Sequence, residues 1–262
     1  MNDDAAVLKQ RYDEIALTLD DTTTACDYQL RDLEIALGLE SIHDGGTVLD
    51  VGCGLGVALR SYASQRRVSA HGIDYSGNMI AGAKRRLAET APDVKIDFRE
   101  ASVLELPFEP ATFDTVTSHR CLMALLDWEL QQKALLEIHR VLKPGGTLVL
   151  MEGTIDGTER LNFYRRLFGL PEIDPGGRDR LLTLKFREQE LREFVAPHYE
   201  LVRVARFGMY YFLTRIVQPL LVAPEQPSYD HPLNEVAKQI AREIPDIGQM
   251  GQLAGFVLRK RP

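Results

Sequence analysis

Residues 48–63, VLDVGCGLGVALRSYA, carry the reading of the whole chain. Four residues of buried-strand character lead into three alternate glycines, and a helical pattern follows. Such a strand–glycine loop–helix unit brings backbone close to a ligand, because glycine carries no side chain to block the approach. A dinucleotide fingerprint requires G-x-G-x-x-G. Here Gly52, Gly54 and Gly56 alternate, and Val57 stands where the third glycine is needed. A Walker loop ends in Gly-Lys-Ser/Thr, and no such triplet follows. What remains is a strand bearing an acid, Asp50, just before G-x-G-x-G, which suits a cationic group better than a pyrophosphate.

Outward from this loop, strand and helix alternate. Residues 5–38 read as two helices broken near the Asp20-Asp21-Thr22-Thr23-Thr24 run, where short polar side chains compete for the backbone. Strands are expected over 48–51, 68–73, 94–98, 113–118 and 147–151, with helices over 55–66, 77–87 and 128–142. KPGG (143–146) is expected to end the last of these helices. That order predicts an α/β fold, a doubly wound and mostly parallel seven-stranded sheet. The last two strands are 199–212 and 252–260, an antiparallel edge hairpin with a Pro-rich insert, 218–234, at its tip. Residues 154–197 read as a mostly helical cap broken at DPGGRD, 174–179. The whole, 1–262, reads as a single domain: helices over 1–44, a ligand-binding core over 45–152, then cap, last strands and insert over 153–262.

Bulk properties narrow the partners. A formal charge of −7 argues against a nucleic-acid partner. Residues 1–150 carry 23 acidic against 15 basic side chains and the rest 15 against 16, which reads either as an ordinary solvated surface or as a second half that meets an anionic ligand. Arginines between Arg160 and Arg187 are the candidates for it. No apolar run reaches the roughly 18–20 residues of a membrane span. The acidic start MNDDAAVLKQ is unlike a secretory leader. Three scattered cysteines, Cys26, Cys53 and Cys121, argue against a disulfide framework or a metal site and suit a cytoplasmic setting. Oligomeric state is not readable.

Taken together, VLDVGCGLG, GIDYSGNMI (72–80), LELPFEPATFDTVTS (104–118) and RVLKPGGTLVLME (140–152) resemble, in order, the motifs of the class I S-adenosylmethionine-dependent methyltransferases. The resemblance implies S-adenosyl-L-methionine as cofactor and a small-molecule acceptor. It implies that Gly52, Cys53 and Gly54 run beside the cofactor's amino-acid end, with Asp50 near its ammonium. Asp74 would accept both ribose hydroxyls, as a carboxylate can, and Tyr75 and Met79 would flank the adenine. Ser102 stands where the family often has Asp on the adenine amino group, and the Val103 backbone would supply a further bond. Ser118 and His119, ending the fourth strand, would contact the methionine moiety. RYDEIAL (11–17) resembles the family's lid helix, which places Tyr12 over the sulfonium, and Arg31 would reach the carboxylate.

Three residues are candidates for chemistry. His119 follows the fourth strand directly, and an imidazole suits proton removal at neutral pH. Tyr211 and His231 come from the late strand and its insert, within reach of the same crevice on this reading. Glu152, ending strand five, either faces that crevice or braces Arg120. The segments beginning MEGTIDGTERLN and YYFLTRIVQPLL resemble small-molecule enzymes of glycan and natural-product biosynthesis. That implies methyl transfer to oxygen of a sugar, glycan precursor or natural product, with an anionic or sugar-linked acceptor. A small-molecule amine, a nucleic acid, and cofactor binding without methylation are the other readings.

Overall fold

The computed structural model describes residues 3–22, 27–175 and 183–262. Thr23, Thr24, Cys26 and most of DPGGRD, with Arg178 and Arg180, lie outside the described residues. Two helices come first, α1 (Asp3–Ala16) and α2 (Tyr28–Glu40). Asp27 starts α2 by accepting from the Leu30 N–H, satisfying a donor that the first turn leaves open. The core follows as β1 (Thr47–Val51), α3 (Val57–Gln65), β2 (Ser69–Asp74), α4 (Gly77–Thr90), β3 (Ile96–Glu100), β4 (Phe113–His119), α5 (Trp128–Val141) and β5 (Leu142–Gly153). After it come α6 (Ile155–Leu167), α7 (Glu188–Val195), β6 (Tyr199–Ala205), α8 (Gly208–Phe212), α9 (Gln218–Val222), α10 (Pro232–Glu243) and β7 (Leu253–Lys260).

The seven strands form one sheet in the order β3-β2-β1-β4-β5-β7-β6. The first five run parallel, while β7 is antiparallel to both β5 and β6. Residues such as Leu49, Val116 and Leu148 are fully buried, as a sheet covered on both faces demands. From β1 the chain moves outward to β2 and β3, then returns to the other side at β4. That reversal opens a crevice at the carboxyl ends of β1 and β4, where open α/β sheets take their ligands. Among the described residues no helix is long and apolar enough to cross a membrane.

Three expectations change. The strand expected over 199–212 stops at Ala205, where Phe207 takes a left-handed backbone (φ 56°), and residues 208–212 coil into α8. The apolar run there fits either period, and packing against α10 decides for the helix. KPGG does not separate helix from strand: β5 starts at Leu142. The pairing Phe113–Leu142 jumps to Thr115–Thr147, which makes KPGG a bulge. The insert is helical at both ends: a π-helical turn (Leu213–Val217) leads into α9, and α10, which packs on α2, starts at Pro232, while 223–231 between them is the expected loop, exposed over 223–230.

Candidate functional site

A cavity of about 400 Å³ opens at the switch point, beneath α1 and α2. Its floor is the glycine loop. A Cβ added to Gly52, which has φ +67°, would stand 2.5 Å from the Cys121 side chain. One added to Gly54 would meet nothing within 4 Å, so there it is the backbone conformation (φ +52°), facing the cavity, that calls for glycine. Gly52→Ala is therefore expected to lower stability by about 2–4 kcal/mol, combining overlap with a strained backbone, as measured by urea unfolding.

Asp74, at the end of β2, clamps this floor. Its two oxygens accept from the Gly54 and Ser76 N–H groups, each at 2.9 Å. Burial raises its pKa, against the pull of those two N–H donors. Ser76 also caps α4 through the Met79 N–H and donates to Asp13 of α1 at 2.5 Å, so the lid helix is tied to the loop below it. Lys9 of α1 bonds the Tyr75 carbonyl and lies 5.1 Å from its ring centroid. Tyr75, buried Met79, Ser102 and Val103 line this end, with the Ser102 hydroxyl accepting from the Leu104 N–H.

The opposite end is charged. Asp50 is 2% exposed and accepts from the Thr117 hydroxyl at 2.7 Å. Burial raises its pKa to about 7, the Thr117 hydrogen bond opposing and the Asp74 charge adding. Glu34 of α2, 1% exposed, pairs with Arg120 at 2.5 Å. Arg31, one turn before Glu34, lines the same end and donates to the Asp21 carbonyl. Tyr12 of α1 also lines the cavity, packed against Leu55 and Met79, and Cys53 and Cys121 line it as well.

His119 lines the cavity, but its Nε2 is joined to the Tyr62 hydroxyl at 2.9 Å. Burial, with Arg120 and Arg31 adding positive charge, drives its pKa down to about 3. It is a neutral, tethered ring rather than a base for neutral pH. Tyr211 and His231 are elsewhere. The Tyr211 hydroxyl accepts from the Leu253 N–H in the core, because 208–212 is helix rather than strand. His231 caps α10, its Nδ1 accepting from the Leu233 N–H. Neither lines the cavity. Ser118 points the other way as well: its hydroxyl donates to Glu152 at 2.8 Å. Glu152 further accepts from the Leu122 and Met123 N–H groups and so braces the loop after β4, leaving Arg120 to Glu34. Of the cap arginines, Arg160 stacks on Phe163 and Tyr164, Arg165 binds backbone carbonyls and Arg166 pairs with Glu172, and none of these lines the cavity. Glu34 escapes the sequence reading, although an acid between Leu33 and Ile35 on a buried helix face is a signal.

The geometry agrees with what the chain is similar to. Residues 48–146 match the family model described as "Methyltransferase domain". The match to a methyltransferase domain thus covers the strands and helices that build the cavity floor, and the resemblance of the motifs to the class I S-adenosylmethionine-dependent methyltransferases holds over that stretch. The 2-phytyl-1,4-naphtoquinone methyltransferase of Nostoc punctiforme is 34% identical over 140 residues, 52% of this chain and 58% of that protein. Phosphoethanolamine N-methyltransferase 2 of Caenorhabditis elegans is 36% identical over 118 residues, 45% of this chain and 26% of that one. The chain thus spans little more than half the length of the first relative and about a quarter of the second. In fold, a SAM-dependent methyltransferase from Aquifex aeolicus superposes with TM-score 0.58 at 17% identity, covering 95% of this chain and 98% of that one.

S-adenosylmethionine is the cofactor of this family, and the residues present fit it. Asp74 keeps lone pairs for two hydroxyls, and Met79 and Tyr75 offer surfaces to a flat ring. The charged end has both signs for a zwitterion. Arg31 Nε, Arg120 Nε and Glu34 Oε1 are buried there with no hydrogen-bond partner. When bound, the cofactor supplies an electrophilic methyl carbon on a sulfonium sulfur.

Proposed function

We propose that this chain methylates a small molecule at an oxygen that ionises near neutral pH, an enol conjugated to a carbonyl or an electron-poor phenol, rather than at a sugar alcohol. The carrying observation is a cavity built to position and not to deprotonate. His119 has a pKa of about 3. Burial raises the Tyr12 hydroxyl and lifts the Cys53 and Cys121 thiols well above their ordinary values. The lining carboxylates are assigned to the cofactor instead: Asp74 to its ribose end, and Asp50 and Glu34 to its amino-acid end, which leaves none of them to an acceptor proton. An aliphatic alcohol needs a matched base to lose its proton, whereas an ionised oxygen needs alignment, which alone can contribute about 7–11 kcal/mol.

The chain's contribution is then placement. α1 and α2 close over the cavity, Leu8, Leu125 and Leu130 give it an apolar wall, and Arg31 supplies positive charge. The acidic balance of residues 1–150 favours a small acceptor over a polynucleotide. A second reading, transfer to a ring carbon beside such an oxygen, is favoured by the naphthoquinone named for the Nostoc relative.

A panel of phenols, enols, quinols, amines and sugar alcohols, followed by S-adenosylhomocysteine release and product mass, tests this. Turnover should be confined to acceptors with acidic oxygens and should track the acceptor's own ionisation. His119→Asn should leave the shape of the pH–rate profile between pH 6 and 9 unchanged. Turnover of sugar alcohols, or a profile limb that vanishes in His119→Asn, would sink the proposal.

A further inference from the structure

Two guanidiniums line the charged end of the cavity, Arg31 and Arg120, whereas the cofactor carries a single carboxylate. With Arg31 on that carboxylate, Arg120 is a surplus cation. Its Nη2 donates to Glu34 at 2.5 Å. Its Nε is buried without a partner, and Nη1 bonds to nothing among the described residues. The Glu34 side chain that fixes it is 1% exposed and that of Arg120 20%, so the guanidinium is largely withdrawn from water yet open to the cavity. A cation desolvated to this degree, with donors to spare, calls for a further anion. Its place in the sheet sets it apart from the other cofactor groups. Asp74 ends β2 and Asp50 lies in β1, whereas the Arg120 N–H meets the Met151 carbonyl of β5 at 2.8 Å. The charges that act most on Arg120 are Glu34, Tyr211 and Asp27, whereas the one that acts on Asp50 is Asp74. A left-handed backbone (φ 58°), strained for so long a side chain, carries Arg120 off the strand to its partner on α2.

With the ribose on Asp74 and the ammonium at Asp50, the strand order β2-β1-β4-β5 leaves the β4–β5 side for the acceptor. We propose that Arg120 binds the acceptor's ionised oxygen, Nη1 donating to it, and so selects acceptors that present an oxyanion. This rests on the reading of the acceptor as an acidic oxygen. A guanidinium beside a hydroxyl stabilises its ionised form and lowers its pKa, the proton going to solvent. The oxygen then forms its bond to the methyl carbon as the carbon–sulfur bond breaks. The electron pair of that bond leaves with sulfur, and a neutral ether and a thioether result. Charge on the oxygen falls during the step, so the guanidinium holds the bound acceptor more firmly than the transition state. Arg120 therefore governs binding and ionisation rather than the rate of transfer, and it lets the uncharged product go.

The probes are 4-nitrophenol, whose anion is yellow, and its neutral methyl ether, 4-nitroanisole, each titrated into protein saturated with S-adenosylhomocysteine. Wild type should bind the phenolate at least about tenfold tighter than the neutral phenol, read as bound dye that ionises about one pH unit or more below free dye. In Arg120→Gln, phenolate affinity should fall about 10- to 100-fold, as for loss of a hydrogen bond to a charged group. Affinities for the ether and for S-adenosylhomocysteine should stay within about threefold. Arg120→Lys, which keeps the charge without the fork, should fall between. Loss of S-adenosylhomocysteine with the phenolate preference intact would return Arg120 to the cofactor, and equal loss of all three ligands would make its role structural; both results overturn the proposal. Should the variants fail to fold, as judged by circular dichroism, wild type decides, since equal affinity for phenolate and ether also overturns it. Wild type that holds S-adenosylhomocysteine but neither probe would overturn the acidic-oxygen reading itself, a distinguishable failure.

Discussion

Asp74→Ala is expected to lower affinity for S-adenosylhomocysteine by at least about 100-fold, the largest effect of any single substitution in the cavity. A hydrogen bond to a charged group contributes about 1.5–3 kcal/mol, and the ribose offers two hydroxyls to this carboxylate. The same side chain also fixes the glycine loop through the Gly54 N–H and the start of α4 through the Ser76 N–H. Removal would thus loosen the floor as well as the ligand. Asp74→Asn keeps volume and one carbonyl oxygen but loses charge, and should fall between the two. Calorimetry on the three proteins, with thermal melts to confirm folding, measures this. An Ala variant within tenfold of wild type would mean that the ribose is not held here.

Cofactor affinity is expected to rise by about 100-fold from pH 5 to pH 8, and Asp50→Asn to flatten most of that rise. Asp50 has its pKa raised to about 7 by burial, so in the empty protein it is largely neutral below that value. An ammonium requires the ionised form, so each pH unit below 7 costs about tenfold in affinity until binding itself shifts the group. The stability of the empty protein runs the other way. Because the folded pKa lies above the unfolded one, near 4, the folded state holds a proton that the unfolded chain has lost. Its advantage is complete below pH 4 and declines as pH rises to 7. Glu152, likewise raised to about 7, adds to that decline. It braces the loop after β4 and does not line the cavity, so it should contribute little to the affinity profile. Melts with and without S-adenosylhomocysteine from pH 5 to 8 should therefore diverge, the ligand-induced shift growing with pH. A constant shift would rule out Asp50 as the group that meets the ammonium.

The end of the cavity that suits the nucleoside is largely legible in the sequence. Asp74 ends a strand, Ser76 is a helix N-cap and Gly52 and Gly54 adjoin β1, all within short spans whose geometry is set by local propensity. The charged end is legible only in part. Asp50 and Arg31 are readable, but Glu34 and Arg120 meet across 86 residues, and nothing in either segment names the other.

Local patterns in the chain suffice for the alternation of strands and helices, and with it the parallel run of the first five strands and the crevice at their carboxyl ends. Alternating hydrophobicity, glycine spacing and caps act over a few residues, and right-handed crossovers leave few ways to assemble them. Which ionisable groups share that crevice, and in what protonation state, is a property of the assembled fold. His119 sits where the sequence puts it, yet burial beside two guanidiniums removes it as a base. Tyr211 lies away from the crevice because a local apolar run that suits strand or helix is settled by α10 packing against α8, and His231 because it caps α10. Burial and charge proximity are sums over neighbours distant in the chain, and no local pattern encodes them.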